Sequence, residues 1–135
     1  QFAGIVLAHQ HLIDLRLNKF NNTRGLLGQY TSVIHRDDTN NVIAYHRKDK
    51  GGPHDDTIVI INFGNKHFKD YELTFPCKGQ WHVRFNSCWK GYSVDFKETH
   101  LEGVAVNDTQ RSSISLAAFS VVILSLSEKE TTTAA

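Results

Sequence analysis

The sequence contains no methionine at all. A complete translated chain begins with one, so the absence implies a processed product or a fragment. Long apolar runs are missing too. None approaches the ~20 residues needed to span a bilayer. Phe2–Leu7 is apolar but short, and no cleavage-site pattern follows it. Charge of one sign is also lacking: 15 Lys and Arg face 14 Asp and Glu, for a net charge of +1. That balance offers no general attraction to phosphates, and basic residues form no stripe. Neither nucleic acid nor a membrane is expected as a partner, and the compartment stays open.

Cysteine is scarce. Cys77 and Cys88 cannot build a disulfide framework. The residues between them read as one extended strand, which would hold the two at opposite ends. A bridge needs Cα atoms about 4.4–6.8 Å apart, so free thiols are expected. Their spacing is not that of a metal pair. Nucleophile and phosphate motifs are missing as well: no G-x-S-x-G and no glycine-rich phosphate loop occurs.

Histidine is the abundant exception, with eight residues. His9 and His11 form an H-x-H pair on a predicted helix. Two residues apart is about 200° of rotation, so they point to different sides. The other six fall on separate strands and loops. No metal site and no cofactor are expected. Carboxylates at Asp37–Asp38, Asp55–Asp56, Asp95 and Glu98 fall in turn-like stretches, where Asp favours local backbone hydrogen bonds. A glycosidase needs two acids held across one sugar. No catalytic residue is therefore assigned.

What is present has two periods. Residues 2–20 read as a helix, with Ile5, Leu12, Ile13, Leu15 and Phe20 at imperfect helical spacing. Asn18, Asn21 and Asn22 mark its end. Its first turns are so apolar that a small domain would cover only part of them, which implies a missing packing partner. From residue 30 the period shortens. Strands are expected at Thr31–His35, Val42–Arg47, Thr57–Phe63, Tyr71–Phe75, Gln80–Asn86, near Gly103–Val106, Ser112–Leu116 and Ser120–Leu126. TIVIINF, at Thr57–Phe63, has the unbroken apolarity of a buried central strand. In Gln80–Asn86, alternation puts Trp81, Val83 and Phe85 on one face. The fold class is mainly β: an antiparallel β-sandwich of about seven to eight strands, Greek-key-like, preceded by one N-terminal α-helix. The expected organisation is helix plus linker over residues 1–28, an all-β domain over 29–127 and a frayed tail over 128–135.

Aromatics concentrate between Trp81 and Phe96. Trp and Tyr can stack on the apolar faces of sugar rings while their polar tips bond hydroxyls. Trp89, Tyr92 and Tyr71 are thus candidates for glucan contact or for docking on a neighbouring domain.

Three segments in order carry a family resemblance: NNVIAYHR (Asn40–Arg47), IVIINFGN (Ile58–Asn65) and YELTFPCKGQWHVRFNSCWKGYSVDF (Tyr71–Phe96). With SVVILS (Ser120–Ser125) and the upstream HLIDLR (His11–Arg16), the chain resembles the C-terminal all-β domain of the α-amylase superfamily, particularly α-amylases and 1,4-α-glucan branching enzymes. HLIDLR is similar to the last helix of the catalytic barrel in that family. Cys88 replaces the acid that often follows Asn-Ser there, and Cys77 stands at a commonly polar position. The resemblance implies an accessory, non-catalytic domain of a glycoside hydrolase or glucan-branching glycosyltransferase. Its partners would be the catalytic β/α barrel and an α-1,4-glucan. The acids of that barrel are not among these residues. Two other readings remain: a stand-alone carbohydrate-binding module, or an interaction domain unrelated to glucans.

Overall fold

The structure, a computed structural model, describes residues 3–49, 56–88 and 103–126. Helix α1 spans Ala3–Arg16. Its end is set by Asn18, which takes the left-handed conformation at φ 56°. Asn18 N–H then donates to Leu15 O, and Lys19 N–H reaches back to Asp14 O at 2.9 Å. This paired closure satisfies carbonyls that a helix end leaves bare. Thr23 Oγ1 caps Leu15 O as well, at 2.6 Å. The helix is shorter than the expected 2–20 because an asparagine tolerates that turn.

A 3-10 turn, Arg24–Leu27, leads into eight strands: β1 Tyr30–Asp37, β2 Val42–Lys48, β3 Thr57–Asn62, β4 Phe68–Thr74, β5 Gly79–Asn86, β6 Val104–Val106, β7 Arg111–Leu116 and β8 Ser120–Ser125. They form a six-stranded sheet in the order β1-β2-β3-β8-β5-β6 and a two-stranded sheet, β4-β7. Every pairing is antiparallel. The chain leaves the large sheet after β3 and returns at β5, so β8 closes between them. This is the expected all-β architecture with its N-terminal helix.

The large sheet is covered on both faces. Ile58, Ile60, Val122 and Leu124, with Trp81 of β5, point toward the small sheet, where they share one core with Leu73, Phe75 and Leu116. Val59 and Ile123 point the other way, toward Leu15 of α1 and Leu26 of the 3-10 turn. A strand buried on both sides cannot alternate apolar and polar residues, which accounts for TIVIINF.

Phe85 departs from the expected alternation. The pairing of β5 with β8 shifts register between Val83 and Phe85. This β-bulge at Arg84 inserts one residue, so Phe85 turns to the helix side while Trp81 and Val83 stay in the sandwich core. A second irregularity lies between Val33 and His35 in β1.

Candidate docking surface

Helix α1 rests on the large sheet through one stripe. His11 and Leu15 are buried there, with Leu7 and Ala8 partly buried beside them. These positions repeat at three and four residues, the spacing of one helical face. Burial lowers the pKa of His11, with a partial offset from the Asp14 charge, so the imidazole is held toward its neutral form.

Of the expected stripe of Ile5, Leu12, Ile13, Leu15 and Phe20, Leu15 and Phe20 pack against the helix-side core, whereas Ile5, Leu12 and Ile13 do not. Ile5, Val6, Leu12 and Ile13, with Leu17 just past the helix end, are 36–64% exposed. At 100° per residue, Val6 and Ile13 lie roughly 180° from the seated stripe. The helix is therefore apolar on both sides. Such a helix is normally buried all round.

The connection between helix and sheet is pinned in place. Arg47 Nη2 donates to Gly28 O at 2.8 Å and to Leu26 O at 3.2 Å. Gly28 packs so closely that an added Cβ would fall 2.1 Å from Lys48 O. Only glycine fits that approach.

Of the three candidate contact residues, Trp89 and Tyr92 lie outside the described residues. Tyr71 is described, and it is only 8% exposed. As a stacking platform it is set aside: its ring packs edge-on against Phe68 and His35 inside the sandwich. Its hydroxyl donates to Asp37 Oδ2 at 2.8 Å, while His35 Nε2 lies 2.6 Å from the Tyr71 phenol oxygen. With the hydroxyl proton already given, that contact requires a proton on His35 Nε2. The network ties β1 of the large sheet to β4 of the small one. Hydrogen bonds from Asn40 and then Tyr71 bring the Asp37 pKa down to about 2. Burial first, and the hydrogen bond and charge of Asp37 after it, push the Tyr71 phenol up. The sequence pattern reads tyrosine as a polar-tipped aromatic and gives no sign that its partners lie 34 and 36 residues away.

Cys77 and Cys88 are not joined in a disulfide. Cys77 Sγ lies 3.9 Å from Asp56 Oδ2, and His46 Nε2 lies 2.6 Å from Asp56 Oδ1. The trio resembles an activated nucleophile on paper only. Burial, followed by the adjacent carboxylate, raises the Cys77 pKa to about 11, which keeps the thiol protonated rather than nucleophilic. Asp38 is paired with Arg36 in a turn, and Asp56 with His46. Among the described residues, no three His, Cys, Asp or Glu are grouped to hold a metal.

Fold and surface together define an all-β sandwich with a helix that is apolar on its outer side. The chain belongs to the family of the alpha amylase C-terminal all-beta domain, whose model matches residues 32–127. No curated protein matches the chain. Among solved structures it is similar to a pullulanase complexed with maltotetraose, from Anoxybacillus sp. LM18-11, at 17% identity and a TM-score of 0.47. That alignment covers 83% of this chain and 14% of the pullulanase chain.

Proposed function

We propose that this chain is a non-catalytic accessory domain of an α-glucan-active enzyme of the hydrolase or branching type. It docks on that enzyme's catalytic barrel through the outer side of α1. The observation that carries this reading is the doubly apolar helix: Leu15 is 1% exposed on one side, while Ile13 is 56% exposed on the other. Burying that outer side yields roughly 25 cal/mol for each Å² removed from water, with no ordering cost for a helix already formed. Family membership supplies the kind of enzyme.

Trp89 and Tyr92 are proposed as glucan contacts or as further docking residues, on their place in the aromatic stretch after β5. The chain acts by covering and stabilising the barrel, and the chemistry belongs to the barrel's acids.

Two measurements test this. The pure chain should release no reducing sugar from soluble starch and should not shift its iodine spectrum. Measurable turnover of either kind overturns the non-catalytic reading. The coding sequence upstream of Gln1 should encode a β/α barrel with acids at its strand ends. An unrelated upstream sequence defeats the docking partner named here.

A further inference from the structure

Two stretches fit the pattern Asn-x-Ser/Thr: Asn21-Asn22-Thr23 and Asn107-Asp108-Thr109. The pattern marks an acceptor for an N-linked glycan. It demands a hydroxyl two residues past the asparagine, so a transferase must reach that hydroxyl as well as the amide. By sequence the two stretches are equivalent. Their settings in the fold are not.

The first stretch lies between α1 and the 3-10 turn. Asn21 is exposed, but Asn22 and Thr23 are each only 1% exposed. Thr23 Oγ1 is committed to Leu15 O at 2.6 Å, and Thr23 N–H donates to Asn18 Oδ1 at 3.0 Å. Leu26 N–H in turn donates to Thr23 O at 2.9 Å. Leu15 and Leu26 share one core. Presenting Thr23 to an enzyme would therefore undo the end of α1 and the seat of the 3-10 turn together.

The second stretch makes the turn between β6 and β7. Gln110 N–H donates to Asn107 O at 3.0 Å, and Gln110, at φ 62°, completes the reversal. Asn107, Asp108 and Thr109 are all exposed. Asn107 Oδ1 accepts from Thr109 N–H at 3.0 Å and from Thr109 Oγ1 at 2.5 Å. The amide and the hydroxyl that the pattern requires are already side by side. Among the described residues, nothing accepts from Asn107 Nδ2, the nitrogen to which a glycan is joined. The turn is tied to the connection between β4 and β5, through Gln110 Nε2 to Pro76 O and Lys78 Nζ to Asp108 Oδ1, both at 3.0 Å. The Lys78 and Asp108 side chains are themselves largely exposed, so the surroundings of Asn107 are open. Exposed turns open at little cost, and segments sealed into a core at much more.

We infer that Asn107 is an N-glycan acceptor of the folded chain and that Asn21 is not. The donor is an oligosaccharide carried on a polyprenyl diphosphate. Asn107 Nδ2 bonds to the anomeric carbon as the bond from that carbon to the diphosphate oxygen breaks. The diphosphate leaves with the electron pair, and Nδ2 gives up one proton to a base of the transferase. The attachment is covalent, uses no stacking surface and does not draw on the accessory-domain reading.

The test incubates the folded 135-residue chain with a single-subunit oligosaccharyltransferase and a polyprenyl-diphosphate oligosaccharide. Peptide mass spectrometry then locates the glycan. Asn107 should be occupied at least about tenfold faster than Asn21, in keeping with the lower cost of opening an exposed turn. Asn107→Gln and Thr109→Ala should each abolish the main product, Thr109→Ser should keep it, and Asn21→Gln should change nothing. Unchanged urea melting of Asn107→Gln shows that the loss is chemical, and if that variant melts early, the contrast of Thr109→Ser with Thr109→Ala decides. An unmodified Asn107, or equal occupancy at the two asparagines, overturns the assignment. Either result leaves the docking reading standing, since that one is tested by turnover and by the upstream sequence.

Discussion

Asp37 shows how much one side chain can carry in a small sandwich. Its carboxylate accepts from Asn40 N–H, Asn40 Nδ2 and the Tyr71 hydroxyl. It therefore closes the β1–β2 turn and joins the two sheets. Its folded pKa of about 2 lies below the ordinary value of 3.8. The ionised form is favoured by folding, so its contribution is complete above about pH 4 and fades as pH falls toward 2. Asp37→Asn should unfold at lower urea than the parent chain at pH 7. The gap between the two should narrow on acidification from pH 4 to pH 2. A gap that stays constant with pH would show that the charge is irrelevant. Cys77 gives a second residue-scale expectation. With a pKa near 11 in place of 9.0, its thiolate is about a hundredfold rarer at pH 8 than that of an ordinary thiol. Ellman's reagent should thus modify Cys77 slowly in the folded chain and quickly in urea. Equal rates in both would refute the protection of this half-buried thiol. None of these long-range partners is readable from the sequence, because a hydrogen bond between β1 and β4 leaves no periodic trace.

Elements were more legible than their facing. The strands fall close to where alternation places them, and β3 declares its two-sided burial through uninterrupted apolar residues. The bulge at Arg84 is the counter-example. Inserted residues have no composition signal, so strict alternation assigns Phe85 to the wrong face. The helix fails for a different reason. When both sides are apolar, helical spacing alone fits several stripes, and Ile5, Leu12 and Ile13 look as suitable companions for Leu15 and Phe20 as Leu7 and His11 do. The structure resolves the choice, and substitution can check it. Leu15→Ala should cost about 2–5 kcal/mol, as for other large-to-small changes in a packed core. Ile13→Ser should change the stability of this chain by less than about 0.5 kcal/mol, because it alters an exposed position. Urea melts of the two variants settle it: comparable losses would mean that the outer side is already covered. His11 adds a pH signature. Its lowered pKa favours the neutral ring in the fold, so helix packing is strongest above about pH 6.5 and weakens below it.

At the scale of the whole molecule, the large sheet is shared property. Ile58 and Ile60 belong to the sandwich core, Val59 to the helix core, and all three sit in one strand. Loss of either covering layer exposes the same strand, so the two layers should melt as one cooperative unit. Fluorescence, with Trp81 in the sandwich core, and helical circular dichroism should follow coincident urea curves. Two separated transitions would mean that the helix is an independent appendage. The sequence suggests a seam near residues 21–28, where Asn and Gly cluster. The structure fills that stretch with Leu26 and fastens it through Arg47.

This fastening bears on how the polypeptide can be shortened. A protein engineer guided by composition would cut just before Gln29 and keep the strands. The shortened product would lose Leu15 and Leu26 and present Val59, Phe85 and Ile123 to water as an open greasy wall. Such material should clump on purification, and the longer form, with residues 1–28 kept, is the one worth expressing.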